Sequence, residues 1–404
     1  MRIGFESSIL NRAMTGVANY TFNVMRCAME LDSNIDFRGF GHFNWKKFDR
    51  DDALRVSRYH QKQDETENTK AASGNGLRNG IVDSAVRLRG ARTAAAVYRG
   101  LRQRRFSSSV RKQSLDLFHA FNFRPLNDPG IPTLPVIYDL STFRHPEFHP
   151  QDRVKWLEPL RLFLEQAPLV QTISNFSKRE IVEVFKYPSE RIFVAPPAAS
   201  DLFVPHGIEK TQRGLGEMDL TYGNFFLIVG THEPRKNIRS ALFAYERLAA
   251  GIRTQYPLVL AGGKGWGDLD LPAKTESLIR EGTVRLVRGV ADPQLRNLYE
   301  GTRLLIAPSL YEGFGMPVVE AMACGTPVAH SADTSMDEIS GSESRRVSAL
   351  DVEGWTSALK DSLESDDYAD PARRASRMAC ARKFTWQHSA SLVIDAYRQI
   401  GGVT

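Results

Sequence analysis

Hydrophobic and polar positions follow one another along the chain in two long stretches, each of which alternates strand and helix patterns. In the first stretch, short apolar runs predict strands at residues 2–5, 36–40, 115–120, 134–138, 169–173 and 192–195. Apolar residues between positions 17 and 31 recur at steps of three and four, which predicts a helix packed on the sheet. Since such alternation is typical of a parallel sheet, we predict a doubly wound α/β domain over residues 1–197.

The second stretch follows Pro196 and Pro197 and repeats the pattern, with residues 201–216 predicted as a linker or loop. Its predicted strands are residues 225–229, 258–261, 284–286, 304–307 and 327–329, and its predicted helices are residues 239–250, residues 293–300 and one that begins at Pro317. We therefore predict a second doubly wound domain over residues 198–384. Residues 385–404 contain a helical pattern and are expected to pack back toward the first domain.

The composition agrees with a globular protein, because 42% of the 404 residues are hydrophobic and can fill two cores. No apolar run approaches the ~20 residues that a membrane-spanning helix needs. The first residues include Glu6 and no long apolar segment, so we expect no secretory signal and a cytoplasmic protein. The three cysteines, Cys27, Cys324 and Cys380, are too far apart to indicate a zinc cluster or a disulfide framework, and we expect them to be buried.

The charge is unevenly distributed. A net charge of +6 favours anionic partners, and residues 84–115 carry nine basic residues and no acidic one. This segment follows a polar stretch at residues 61–80, and together we predict a flexible, Arg-rich insertion over residues 61–112. The apolar residues that can form a stripe among the arginines are Ala94, Ala95, Val97, Tyr98 and Leu101. Such a helix is suited to an anionic membrane surface, although a solvated surface helix remains the alternative.

Nucleic acid is the other anionic partner that an Arg-rich segment could bind. Stacking on bases requires aromatic residues between the basic ones, and this segment has only Tyr98 and Phe106. We therefore expect no nucleic-acid partner and keep nucleic-acid binding as the alternative of another class.

Two predicted loops at the carboxyl ends of strands carry candidate chemistry. The first, residues 230–237, places Arg235 and Lys236 beside a helix start, where a diphosphate would find positive charge and oriented N–H groups. The second follows the strand at 304–307 and contains Gly313 and Gly315, which allow a ligand to approach the main chain.

Two carboxylates, Glu312 and Glu320, flank the glycines of that second loop. An acidic residue beside a bound phosphate repels it unless the acid accepts hydrogen bonds from hydroxyl groups, and sugars supply hydroxyl groups. The pair therefore indicates a ligand that combines phosphates with a sugar.

With these motifs, the chain resembles a retaining glycosyltransferase of family 4 with the GT-B fold over nearly its whole length. The residues that carry the resemblance are the Glu312 to Glu320 pair, residues 323–328, residues 230–237, residues 172–178 and residues 15–17. The resemblance implies that Glu312 binds donor-sugar hydroxyls, that Glu320 binds the nucleotide ribose, and that Arg235 and Lys236 neutralise the diphosphate. Glu312, Lys236 and Arg235 are thus the expected catalytic residues. The further substrate-binding residues are expected to be Gly16, Asp139, Thr231, Val290, Gly313, Phe314 and Gly315.

One position departs from the family pattern. Relatives commonly carry His-Asp after the strand that ends near residue 138, and here Tyr138 replaces the histidine while Asp139 remains. Asp139 is equally well explained as a helix or turn cap. His119 and Asn122 also follow a strand, but we expect both to be structural.

The resemblance further implies the reaction. We expect a metal-independent transferase that needs no cofactor and moves a hexose with retention from a nucleotide sugar to a glycan or polyprenyl-phosphate-linked acceptor. Similarity to bacterial mannosyltransferases of surface-polysaccharide assembly favours GDP-mannose or a related GDP-deoxyhexose, and UDP-glucose is the alternative donor. We expect the enzyme at the inner face of the cytoplasmic membrane.

Two other enzyme classes were weighed. Asp268, Leu269 and Asp270 form a D-x-D sequence of the kind that can hold a divalent ion against a diphosphate, but this short pattern often arises by chance. A nucleotide-sugar epimerase would need acid and base residues placed for proton transfer, and the motifs indicate no such set.

Overall fold

The computed structural model describes residues 1–11, 16–53, 55–56, 89–263 and 274–402, without the side chains of Asn11 and of residues 89–96. Within these ranges the chain forms two sheets of mainly parallel strands connected by helices, which confirms the predicted fold class. The expectations for residues 61–80 and for the D-x-D sequence at 268–270 lie outside the described residues.

The first sheet has seven strands in the order β3-β2-β1-β4-β5-β6-β7. They are β1 Arg2–Glu6, β2 Asp36–Phe40, β3 Trp45–Phe48, β4 Leu117–Ala120, β5 Thr133–Ile137, β6 Val170–Thr172 and β7 Ile192–Val194. All neighbours are parallel except β2 and β3. The sequence did not predict β3, because the exposed Lys46 and Lys47 interrupt its apolar pattern, as is common at a sheet edge.

In the part of the chain that the structure describes, several helices with complete bounds accompany the first sheet. They are α1 Gly16–Leu31, α2 Arg89–Val110, α3 Ser141–Arg144, α4 Gln151–Leu157, α5 Leu160–Gln166 and α6 Asn175–Phe185. The predicted face of α1 is buried, including Tyr20, Val24 and Cys27.

The second sheet has six strands in the order β10-β9-β8-β11-β12-β13, all parallel. They are β8 Phe226–Val229, β9 Leu258–Ala261, β10 Val284–Val287, β11 Leu304–Ala307, β12 Val328–Ser331 and β13 Arg345–Val347. The strand order reverses between β8 and β11. In open parallel sheets, ligands bind beyond the carboxyl ends of the strands at such a reversal, so the loops after β8 and β11 are the expected site.

The helices of the second half include two corrections to the predictions. They are α7 Ile208–Gly216, α8 Ile238–Glu246, α9 Ala250–Gln255, α10 Thr275–Arg280, α11 Asp292–Gly301, α12 Met316–Ala323, α13 Met336–Ser340, α14 Val352–Glu364 and α15 Pro371–Ala381. The predicted linker at 201–216 contains α7, whose few buried side chains gave a weak apolar pattern. The helix predicted over 239–250 ends at Glu246, and the Arg253 guanidinium donates to the carbonyl groups of Glu246 and Leu248 at this end.

The last helix, α16 Trp386–Gly401, packs along α1 of the first half. Tyr397 lies 2.6 Å (Oη) from Nδ1 of His119, and the Arg398 guanidinium pairs with Asp32 at 3.2 Å. His119 is fully buried, and burial lowers its pKa to about 3, so it is a structural residue as expected. The domain boundaries at 197 and 384 remain predictions.

All three cysteines are buried and unbridged, which confirms the expectation for them.

Candidate active site

The loop after β8 places two cations at the reversal of the second sheet. Gly230 has a φ of 146°, and the chain then forms a short 3-10 helix at Pro234–Lys236 before α8 begins. The Asn237 side chain donates to the carbonyl groups of Pro308 (2.9 Å) and Ala349 (2.7 Å). These bonds fix the β8 loop against the loop after β11.

The loop after β11 is held by main-chain contacts on both sides. Leu310 donates its N–H to the Arg235 carbonyl at 2.8 Å, and the Ser335 hydroxyl donates to the carbonyls of Glu312 (2.8 Å) and Phe314 (2.9 Å). Gly315 has a φ of 115°, and a Cβ there would lie 2.6 Å from the Met336 side chain. The predicted need for glycine at this turn is therefore real, but it serves packing within the second half.

Glu312 lies at the centre of an ion-paired cluster. Its carboxylate is 2.8 Å from Arg235 Nη1 and 2.5 Å from Lys236 Nζ, and it accepts a hydrogen bond from the Ser309 hydroxyl at 2.7 Å. Only 7% of Glu312 is exposed. Burial opposes its ionisation, but Lys236 and Arg235 outweigh burial and lower the pKa of Glu312 to about 2. The carboxylate is thus charged at every physiological pH.

A second carboxylate, Glu233, completes this cluster. It is buried, pairs with Arg235 Nε at 2.9 Å and accepts a hydrogen bond from the Thr231 hydroxyl at 2.9 Å. Burial opposes the charge of Arg235, yet Glu312, Asp139 and Glu233 raise its pKa. The two carboxylates that pair with Arg235 therefore balance the charges of Arg235 and Lys236 before a substrate arrives.

Glu320 has a different environment, although it belongs to the same loop and helix. It is half-buried on α12, and its Oε2 accepts a hydrogen bond from the Tyr299 hydroxyl at 2.8 Å. Burial raises the pKa of Glu320 to about 8, since the Tyr299 hydrogen bond only partly opposes it and Asp292 adds to it. Glu320 is therefore mainly protonated at neutral pH in the free protein.

Gly313 is one of the points where the two halves of the chain touch. A Cβ on Gly313 would lie 2.2 Å from the Tyr138 carbonyl oxygen, so only glycine permits this approach. The Gly313 carbonyl accepts hydrogen bonds from the hydroxyls of Ser174 (2.7 Å) and Ser177 (3.3 Å). In addition, the Tyr311 hydroxyl accepts a hydrogen bond from Leu140 N at 3.2 Å. The loop after β11 is thereby docked against the loops after β5 and β6.

Tyr138 and Asp139, at the family's His-Asp position, have different surroundings. Tyr138 is buried, and its ring packs edge-on against Tyr20 and Phe123, so it occupies the core of the first half. Asp139 caps α3 by accepting from the main chain (2.9 Å) and hydroxyl (2.6 Å) of Ser141. Its charge also acts on Arg235. Asp139 therefore acts as a turn cap, as the alternative explanation predicts, and its charge still acts on the cluster through Arg235.

The structure places the remaining predicted residues as follows. Gly16 is exposed at the start of α1, and a Cβ there would meet open space within the described residues. Val290 is partly buried against the core, just before α11. The Phe314 ring is buried edge-on against Phe384, so only its main chain can face a ligand. In the described structure, Gly16 and Val290 share no hydrogen bond with the Glu312 cluster, whereas the Phe314 carbonyl accepts from the same Ser335 hydroxyl as the Glu312 carbonyl.

Several site residues were missed by the sequence analysis. Ser309, Ser335 and Tyr299 hold the two glutamates, and Glu338 reaches across to the first half. The Glu338 carboxylate accepts from the main-chain N–H groups of Asn175 (2.9 Å) and Phe176 (2.5 Å) at the start of α6. None of these residues belongs to a recognisable motif, so no signal in one sequence could have found them.

No described helix combines the length and the apolar character that spanning a bilayer requires. Among the same residues, no group of three or more His, Cys, Asp or Glu side chains could hold a metal ion.

The overall fold is shared with solved glycosyltransferase structures. HepE of Anabaena, solved with UDP and glucose, superposes with a TM-score of 0.69 at 14% identity and covers 99% of this chain and 100% of that one. WaaG, a glycosyltransferase involved in lipopolysaccharide biosynthesis, gives a TM-score of 0.63 at 14% identity, with both chains covered completely. The two facing sheets therefore define a protein of the GT-B class.

Sequence comparison narrows the class. Residues 221–377 match the family model "Glycosyl transferases group 1". O-antigen chain mannosyltransferase B of Escherichia coli is 36% identical over 302 residues, which are 74% of this chain and 79% of that protein. The serotype-specific mannosyltransferase WbdA of Escherichia coli is 29% identical over 284 residues, 68% of this chain but 34% of that protein. The chain belongs to the glycosyl transferases group 1 family, and both of these relatives are named as mannosyltransferases, the first of them of the O-antigen chain.

Proposed function

We propose that the protein is a retaining, metal-independent hexosyltransferase that moves mannose or a related deoxyhexose from a GDP-sugar to a growing lipid-linked or cell-surface glycan. The observation that carries this proposal is the ion-paired cluster of Glu312, Glu233, Arg235 and Lys236 at the sheet reversal. The names of the relatives in O-antigen synthesis favour mannose as the sugar.

The cluster supports sugar transfer because the donor diphosphate can replace Glu312 as the partner of Arg235 and Lys236. Breaking the bond between sugar and diphosphate leaves negative charge on the nucleoside diphosphate, and stabilising that charge is usually the largest contribution of the protein. An arriving diphosphate competes with Glu312 for Arg235 and Lys236. Glu312 is thereby released to accept hydrogen bonds from donor-sugar hydroxyls, while the two cations neutralise the leaving group.

Retention follows if the acceptor hydroxyl attacks the face from which the diphosphate departs. The bond from the sugar carbon to the phosphate oxygen breaks, the bond to the acceptor oxygen forms, and the leaving phosphate takes the acceptor proton. No protein nucleophile is needed, and an α-linked donor gives an α-linked product.

UDP-glucose is the second candidate donor. The observation that favours it is the likeness of the fold to HepE, whose structure contains UDP and glucose. Both donors place a diphosphate beside the same cations, so the chemistry of transfer is unchanged.

A panel of nucleotide sugars tests this proposal. The purified protein is incubated with each sugar and a lipid-linked acceptor extract in EDTA, and nucleoside diphosphate release is followed. We expect release from GDP-mannose without added metal, with Lys236→Ala as the inactive control. Strict dependence on a divalent ion would contradict the proposed metal-independent chemistry. If nucleoside diphosphate were released from UDP-glucose alone, the donor would be UDP-glucose and not GDP-mannose.

We further propose that an exposed surface of the first half docks on the anionic inner face of the cytoplasmic membrane. This docking surface consists of Phe43, Val97, Tyr98, Arg99, Leu101, Arg104 and Arg105. Val97 and Leu101 are 56% and 52% exposed, and the rings of Phe43 and Tyr98 meet edge-on at 5.3 Å. Apolar side chains among cations are suited to the head-group layer, where each basic residue contributes about 1 kcal/mol.

The structure corrects one member of the basic set. Arg102 was expected among the membrane-binding arginines, but its guanidinium pairs with Glu6 at 2.8 Å and also donates to the Gly41 carbonyl. Both partners of this pair are largely buried. Arg102 therefore anchors α2 to the carboxyl end of β1 and should be left unchanged in any test of membrane binding.

Liposome sedimentation tests the docking surface. The triple variant of Arg99, Arg104 and Arg105 to glutamine should lose binding to anionic vesicles, and binding of the wild type should fall as salt shortens the Debye length. The matched control replaces Arg213, Arg280 and Arg345, three exposed arginines of the second half, and should bind like the wild type. Equal binding by both triple variants would overturn the proposal, as would a wild type that ignores anionic vesicles at low salt.

A further inference from the structure

Tyr299 is a buried tyrosine whose hydroxyl is directed at a site residue. It lies on α11 and is completely buried, and its hydroxyl donates to Glu320 Oε2 at 2.8 Å. Two other buried tyrosines, Tyr20 and Tyr245, donate instead to main-chain carbonyl groups, such as those of Ala195 at 2.7 Å and Thr283 at 2.8 Å. The acceptor of Tyr299 differs from these, because it is a half-buried carboxylate at the edge of the proposed nucleotide site.

The ring of Tyr299 is fixed independently of this hydrogen bond. It packs edge-on against Phe203 with centroids 5.6 Å apart, and the Tyr299 carbonyl accepts from the Thr326 hydroxyl at 2.5 Å. A ring held in this way gives the hydroxyl one location. Glu320, in contrast, is half-buried on α12, and its carboxylate has the Tyr299 hydroxyl as its hydrogen-bond donor within the described residues.

We infer that Tyr299 is a positioning residue for nucleotide recognition, which holds Oε2 of Glu320 so that the other carboxylate oxygen is presented to the ribose hydroxyls. This inference rests on the proposed function, in which Glu320 binds the ribose. Within the described residues, Oε1 of Glu320 accepts no hydrogen bond, whereas Oε2 is engaged by Tyr299. A carboxylate can accept several hydrogen bonds, so the oxygen that Tyr299 leaves open is available to a diol.

The inference predicts a loss of ribose recognition rather than a general loss of affinity. A hydrogen bond to a charged group discriminates by roughly 10-fold or more against a ligand that lacks it. In the wild type, GDP should therefore bind about 10-fold more tightly than 2′-deoxy-GDP. Once the Tyr299 hydroxyl is removed, Glu320 is free to adopt other rotamers, and the ratio should fall to about three or less.

The test measures both nucleotides by calorimetry on four proteins, with UDP and 2′-deoxy-UDP in parallel. Tyr299→Phe keeps the ring and its packing on Phe203, and a thermal melt confirms that the variant is folded. Tyr245→Phe is the matched control, because it removes a buried hydroxyl from the same half of the chain. Glu320→Ala reports whether the carboxylate recognises ribose. In kinetics, Tyr299→Phe should raise the donor KM several-fold with kcat nearly unchanged.

The outcomes separate this inference from the proposed function. The affinity ratio of GDP to 2′-deoxy-GDP decides between them. If Tyr299→Phe and Glu320→Ala lose this ratio and Tyr245→Phe keeps it, both the positioning role of Tyr299 and the ribose assignment of Glu320 are supported. If Glu320→Ala loses the ratio and Tyr299→Phe keeps it, the positioning role is wrong while the ribose assignment stands. If Glu320→Ala keeps the ratio, the ribose assignment fails and Tyr299 has nothing to position. Equal losses in the two tyrosine variants would also overturn the inference, because they would indicate a merely structural role.

Discussion

The surroundings of Glu312 and Glu320 differ sharply, although one loop and one helix carry both. Two cations contact Glu312 and lower its pKa to about 2, whereas Glu320 meets one neutral hydroxyl and a nearby acid, and burial raises its pKa to about 8. The partners of Glu312 come from the loop after β8, and the partner of Glu320 comes from α11. The motif therefore determines where the two carboxylates lie, while the neighbouring elements determine whether each carboxylate is charged.

This difference implies two modes of action. Glu312 is charged but already paired, so a substrate must displace its partners before it can act. Glu320 is unpaired by any cation within the described residues but mainly protonated, so a substrate must favour its ionised form.

Lys236→Ala should give the largest loss of activity. Removing Lys236 deprives the leaving diphosphate of one of two cations and leaves the buried Glu312 with Arg235 alone. We expect kcat/KM to fall by roughly 30- to 1000-fold, or about 2 to 4 kcal/mol. Steady-state kinetics with Lys210→Ala, an exposed lysine on α7, as the control would measure this. Similar activity in the two variants would remove Lys236 from the proposed chemistry.

Glu312→Ala and Glu320→Ala should separate turnover from nucleotide binding. Because Glu312 neutralises Arg235 and Lys236 in the free protein, Glu312→Ala should leave GDP affinity equal or slightly higher while kcat falls by about 100-fold. Glu320→Ala should weaken GDP binding by roughly 10-fold through the lost ribose contact. Calorimetry and kinetics on both variants distinguish these effects. Equal losses of nucleotide affinity in the two variants would show that nucleotide binding does not depend on Glu320 more than on Glu312.

The pH dependence of nucleotide affinity should follow Glu320. If ribose hydroxyls donate to its ionised form, affinity rises as the pH passes through its pKa of about 8. Between about pH 7 and about pH 9 the ionised fraction grows roughly 10-fold, and the affinity should follow. The facing groups Tyr299 and Asp292 contribute to this pKa. Glu320→Gln should give a flat profile over the same range, and an equally steep profile in that variant would assign the titration to another group.

The same shift has a consequence for stability with the opposite sign. The folded protein keeps the proton of Glu320 where the unfolded chain, with the ordinary value of 4.5, has lost it. The contribution of this group to the free energy of unfolding is therefore complete below about pH 4.5 and is lost as the pH rises through about 8.

Strands were predicted well where their apolar runs were continuous. The predicted bounds of β2, β9 and β11 agree with the structure residue for residue, because each of these strands is largely buried. Polar or weakly patterned elements, such as β3 and α7, were missed or assigned to loops. Local pattern thus revealed the sheets, but not the edge strand and surface helices that depend on tertiary contacts.

The sequence predicted which residues belong to the candidate site, but not which of them contact one another. Glu312, Arg235 and Lys236 were recognised by motif, yet nothing in the sequence showed that the carboxylate pairs with both cations. The decisive contacts join residues far apart: 76 positions separate Lys236 from Glu312, and 163 positions separate Asn175 from Glu338. Such pairs are set by how the two sheets face each other, which a single sequence does not reveal.

A third glutamate, Glu338, extends the comparison and carries the smallest predicted effect. Its charge is held by the N–H groups that begin α6 rather than by a cation or a tyrosine, and it links the two halves of the chain. Glu338→Gln retains an acceptor but loses the charge that favours a helix N-terminus, a difference of about 0.3 to 1 kcal/mol. Amide hydrogen exchange at Asn175 and Phe176 should therefore accelerate by about two- to five-fold.

The control is Glu183→Gln, on the same helix but paired with Arg144 at 2.7 Å and remote from the helix start. Its exchange at Asn175 and Phe176 should match the wild type. Exchange is read from peptides that cover residues 170–185, at one pH and temperature for all three proteins. Because the Ser174 hydroxyl also crosses between the halves, to the Gly313 carbonyl, the contact should loosen in Glu338→Gln without opening completely. Unchanged exchange in Glu338→Gln, or equal acceleration in Glu183→Gln, would mean that the helix start does not depend on the charge of Glu338.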